Sequence, residues 1–97
     1  MEAIENATRL KARLLEFSAD PARPGWLRCM LQVQDCGPVA DLPSLVPAAV
    51  GATLAVLVGP EDRAQVDALT PGAGLVMQVR LRAPGVHTAV PGSVGVD

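Results

Sequence analysis

Apolar and polar residues alternate along several stretches of this chain, and proline and glycine separate one stretch from the next. Around Thr8 to Phe17 the pattern fits two periods. Read as a strand, it puts Leu10, Ala12 and Leu14 on one side and Arg9, Lys11 and Arg13 on the other. Read as a helix, it aligns Ile4, Ala7, Leu10, Leu14 and Phe17 in one stripe. Local propensity favours the helix, but the clean alternation of charge through residues 9 to 13 and the turn-rich segment that follows favour the strand. Burial and pairing can overturn propensity differences of a few tenths of a kcal/mol per residue. The strand is the reading adopted.

Ser18 to Gly25 is a loop, because Pro21 and Pro24 lack backbone donors and Pro24-Gly25 favours a turn. Trp26 to Val33 then alternates, with Leu27, Cys29, Leu31 and Val33 facing one way and Trp26, Arg28, Met30 and Gln32 the other. Asp35-Cys36-Gly37-Pro38 is expected to break this strand, and Val39 to Pro47 to form a short strand or covering loop. Val50 to Val58 is apolar on both faces, as a central strand would be. Glu61 to Leu69 changes to a short helix with Pro60 at its first turn and Glu61-Asp62 at its positive end. Gly74 to Arg82 alternates most clearly: Leu75, Met77, Val79 and Leu81 oppose Val76, Gln78, Arg80 and Arg82. Val86 to Val90 and then Val94 and Val96 complete the pattern.

This order of strands, with a small helix before the penultimate one, resembles the oligonucleotide- and oligosaccharide-binding barrel, the OB-fold, over roughly residues 6 to 96. The fold expected is therefore mainly β: a small five-stranded, partly closed, OB-like barrel in a single domain over residues 1–97. A different mixed α/β fold and an arrangement led by an N-terminal helix are the alternatives. The resemblance implies protected strand edges and a face that binds single-stranded nucleic acid. Such faces commonly carry several aromatic platforms, whereas this chain has one Trp, one Phe and no Tyr.

Composition narrows the functional classes. Ninety-seven residues support one modest core, with roughly 5,200 Å² of folded surface expected for this mass. Eight Lys and Arg against ten Asp and Glu give a net charge of −2, which removes long-range attraction to polyanions but permits a local basic patch. The acidic opening Met1-Glu2-Ala3-Ile4-Glu5 is unlike a secretory signal, and Leu42 to Gly59 is too interrupted to span a bilayer, so a cytoplasmic protein without membrane contact is expected. Cys29 and Cys36 make neither a disulfide framework nor a metal knuckle, and with the lone His87 they supply no recognisable zinc set. Nothing assembles a nucleophile, a base and an oxyanion site. No catalytic residue, metal or cofactor is assigned.

The candidate nucleic-acid-binding residues are Arg9, Lys11, Arg13, Trp26, Arg28, Arg80 and Arg82. Arginine contacts phosphates, and the Trp26 indole offers a stacking surface. Arg23, in the proline-rich loop, is placed to close over a polymer, and Phe17 is read mainly as hydrophobic closure. The competing function is a protein-interaction or assembly module, including a homodimer, using Leu42, Leu45, Val46 and Val50 or the outer side of Gly74 to Arg82.

Overall fold

The computed structural model describes residues 5–46 and 49–97. The acidic opening at residues 1–4, and Pro47 within the interrupted apolar stretch, lie outside the described residues. The elements in chain order are β1 (Thr8–Ala19), β2 (Leu27–Pro38), β3 (Thr53–Val58), α1 (Arg63–Asp67), β4 (Gly74–Ala83), β5 (Val86–Ala89) and β6 (Gly95–Val96). The strands lie in the order β1-β2-β3-β5-β4-β6, and β1 pairs again with β4. That second pairing closes five strands into a complete barrel rather than a partly closed one. All pairings are antiparallel except β3 with β5, and β6 is an extra strand on β4. The architecture is compatible with an OB-like fold.

The first segment is a strand throughout, with Leu10, Ala12 and Leu14 buried and Arg9 and Arg13 exposed. Two irregularities in the β1–β2 register change which residues face inward. Between Leu14↔Leu31 and Glu16↔Met30, β1 carries the additional Leu15; between Lys11↔Asp35 and Ala12↔Val33, β2 carries the additional Gln34. Each extra residue reverses the alternation beyond it. Leu15 is therefore exposed and Phe17 is brought against the core, while Cys36 lies opposite the buried Leu10. This corrects the expected break at Asp35-Cys36-Gly37-Pro38. β2 continues through Pro38 on a shifted parity, ending where proline's missing donor costs least.

The described residues between β2 and β3 form no strand, so that segment is a covering loop; Thr8 and Ser44 hydroxyls meet at 2.7 Å and pin it to β1. Val46, expected on a contact surface, is instead buried in the core. The helix is shorter than its sequence signal, with five residues. Asp62 stands at its N-cap without a side-chain cap bond; its Oδ2 accepts the Gly92 backbone N–H at 2.9 Å. The carboxylate ties the helix entrance to the turn before β6. Val66 is fully buried and is the side chain that docks α1 on the barrel.

Leu10, Leu14, Leu27, Leu31, Val56, Val58, Leu75, Met77 and Val79 fill the interior. Asn6 extends the β1–β4 closure beyond the strand, its Nδ2 donating to Leu81 O at 3.0 Å and its Oδ1 accepting from Leu81 N at 2.8 Å. The folded surface is 5455 Å², close to the expectation for this mass.

Candidate nucleic-acid interface

The loop between β1 and β2 is built around Asp20. Its Oδ1 accepts the Ala22 N–H at 3.0 Å, and its Oδ2 lies 3.1 Å from Arg23 Nη1. Backbone bonds from Asp20 N to Trp26 O and from Trp26 N to Arg23 O close the loop's base. The Ala22 amide is the largest influence holding the Asp20 carboxyl below its ordinary value of 3.8; partial burial opposes it, and Arg23 and Arg28 add to the lowering. The opposite wall is the tight Pro84-Gly85 turn between β4 and β5, where Gly85 has a φ of 74° that glycine adopts without strain. Between the two lies a cleft of about 210 Å³ lined by Asp20, Arg23, Arg28, Ala55, Leu57, Gly85, Val86 and His87.

His87 is 8% exposed, and its Nδ1 lies 3.3 Å from the Ala55 carbonyl oxygen. A carbonyl oxygen only accepts, so in this contact Nδ1 carries the hydrogen and donates it. A second hollow, bordered by Glu16, Phe17, Ser18, Arg28 and Met30, adjoins the cleft, and Arg28 stands between the two. Among the described residues Arg28 makes no ion pair.

The seven candidate residues separate into three groups. Arg9, Lys11 and Arg13 share the outer side of β1, flanked by Gly37, Asp35 and Gln32 on β2 and by Gln78, Val76 and Gly74 on β4. Arg9 lies 3.7 Å from Asp35, and Lys11 3.1 Å from Asp97, so two of the three charges are locally answered. Such exposed pairs contribute less than about 1 kcal/mol to stability. Arg13 is roughly 15 Å along β1 from Ser18, the residue opposite Arg28, at the usual strand rise.

Trp26, which stands just before β2 rather than within the strand as expected, and Arg28, the second residue of β2, form the second group. The Trp26 ring lies over Gly59, where an added Cβ would meet it at an ordinary contact distance of 3.4 Å. Trp26 is half-buried beside the cleft and is not among its lining residues.

Arg80 and Arg82 form the third. Arg82 Nε donates to Thr88 Oγ1 at 3.2 Å, while Arg80 Nε is buried with no hydrogen-bond partner among the described residues. The pairings Arg28↔Leu57, Leu57↔Thr88 and Thr88↔Arg80 place the second and third groups at the ends of one row across β2, β3, β5 and β4. Three strand spacings separate Arg28 from Arg80, roughly 14 Å.

Three residues around the cleft, Asp20, Arg23 and His87, were absent from the seven. Arg23 is held over the cleft by Asp20, a pairing that its spacing of three within a proline-rich turn hints at, whereas nothing in the sequence places His87 there. Among the described residues no group of three or more His, Cys, Asp or Glu is arranged to hold a metal, and no helix is long and apolar enough to cross a membrane. No protein family, curated protein or solved structure matches this chain.

Proposed function

We propose that this protein is a non-enzymatic OB-like barrel that binds single-stranded nucleic acid along the row from Arg28 to Arg80. The observation that carries the reading is Arg28, without an ion pair among the described residues and common to two adjoining hollows, with an apolar floor of Leu57 and Val86 beside it. In this reading Arg28 and Arg80 contact phosphates, the Trp26 face stacks on a base at one end of the row, and Arg82 supports the other end. A row of roughly 14 Å accommodates about four stacked nucleotides at a rise of about 3.4 Å. Arg9, Lys11 and Arg13 lie outside this path.

Titration of the Trp26 fluorescence with a single-stranded oligonucleotide at low and rising salt tests the reading. Two phosphate contacts give a log–log salt slope of about −1.4, and removing one lowers it by about 0.7. Arg28→Ala is expected to weaken binding about 10-fold, and Arg9→Ala less than about 2-fold. Absence of binding at low salt would reject the reading.

A second reading is self-association through the exposed valines of β4 and β6, where Val76 is 36% and Val96 60% exposed. Sedimentation over a concentration series checks it. Concentration-dependent dimers that Val76→Glu abolishes would support it, and a monomer at every concentration would end it.

A further inference from the structure

The cleft contains its own anion. Asp20 Oδ2 sits 3.1 Å from Arg23 Nη1, its side chain only 9% exposed against 46% for Arg23, and both line the cleft with Arg28. Two guanidinium groups and one carboxylate leave a surplus of one positive charge there. On the other side of Arg28, the adjoining hollow brings Glu16 and no further cation among its lining residues. His87 completes the ionisable groups around the cleft, its Nδ1 engaged by the Ala55 carbonyl oxygen at 3.3 Å.

We infer that Asp20 is a specificity-determining residue that tunes this cleft to the singly charged phosphodiester inside a strand and against the doubly charged phosphomonoester at a strand end or on a free nucleotide. The inference rests on the nucleic-acid reading above. A carboxylate within a few ångströms of a bound phosphate repels it in proportion to the ligand's charge, so its cost to a dianion is about twice its cost to a monoanion. An end-recognising site requires the reverse, a surplus of two or more positive charges. Asp20 also shapes the loop by accepting the Ala22 N–H, which separates two roles in one side chain: Oδ1 holds the backbone, and the charge shared with Arg23 sets selectivity.

Asp20→Asn separates them experimentally, because an amide oxygen can still accept the Ala22 N–H while the negative charge is gone. The probes are dithymidylate without terminal phosphate, with one phosphodiester charge, and thymidine 5′-monophosphate, with two charges at pH 8. Affinities of both for the full chain and for the Asp20→Asn chain are measured at low salt by competition against a fluorescent oligonucleotide. The wild type is expected to prefer dithymidylate. The substitution is expected to tighten dithymidylate about 3-fold and the monophosphate about 10-fold, the square relation that charge repulsion demands.

Equal changes for the two probes, or weakening of both with the melting temperature unchanged, would overturn the assignment while leaving nucleic-acid binding intact. If the fluorescent oligonucleotide binds neither chain, the underlying reading fails instead. Should Asp20→Asn lower the melting temperature and weaken both probes, Arg23→Gln decides the matter. Under the charge assignment Arg23→Gln lowers monophosphate affinity by about the square of its effect on dithymidylate, and an equal effect on both overturns the assignment.

Discussion

Asn6 shows how much one side chain can carry in a barrel this small. Its amide substitutes for a strand residue by giving and taking one hydrogen bond with Leu81, so Asn6→Ala strands a partly buried N–H and C=O together. Asn6→Ala is expected to cost about 2 kcal/mol in urea unfolding. Cys29 makes a different statement. Burial, with a smaller contribution from Asp67, pushes its thiol from 9.0 up to about 11. The unfolded chain then loses this proton before the folded one, so stability falls as pH rises through that window, by about 2 kcal/mol at pH 11 relative to neutral pH. Comparing the alkaline slopes of the wild type and Cys29→Ala isolates this term: the variant is less stable at pH 8 but is expected to lose less between pH 9 and 11. Iodoacetamide should label the half-buried Cys36 well before Cys29.

Among the elements, α1 depends most on its surroundings. Five residues are far too few to hold a helix in water, so its stability is borrowed from Val66 in the core and from Asp62 bonding Gly92. Val66→Ala is expected to cost about 2 kcal/mol by denaturant unfolding, with loss of protection at the α1 amides under hydrogen exchange. The strands divide into those that the alternation described well and those it did not. β4 keeps one parity over most of its length, and its four inward residues were readable because Leu75 to Leu81 never slips. β1 and β2 each absorb an extra residue where strict alternation would have stopped the strand or turned Phe17 outward. A bulge relieves the strain of a long, coiling strand pair and is set by the partner strand. One chain segment read alone does not contain it.

For the whole molecule, closure is the governing fact. β1 bonds to β2 along its length and to β4 along its first half, so both of its edges are occupied there. The pairing Thr8↔Val79 and the Asn6–Leu81 bonds close chain separations of about 70 residues, and contacts of that range must form before the barrel exists. Refolding is therefore expected in the millisecond-to-second range in stopped-flow dilution, and a microsecond phase carrying the full amplitude would contradict it.

The candidate site follows the same division. Local spacing was enough to establish which residues alternate, that prolines and glycines punctuate them, that the chain is mainly β with one short helix, and that Trp26 and Arg28 lie two positions apart at one strand's start. Those properties depend on neighbours a few positions apart, where backbone geometry alone sets the direction of each side chain. Long-range packing set the rest: the barrel closes, Arg9 and Lys11 meet Asp35 and Asp97, and Arg28 and Arg80 end one row while Arg13 stands apart. It also brought Arg23, His87 and Asp20 around one cleft. These outcomes depend on strand order, shear and register, which arise from burying all the apolar faces at once, and no local run of residues encodes that joint solution.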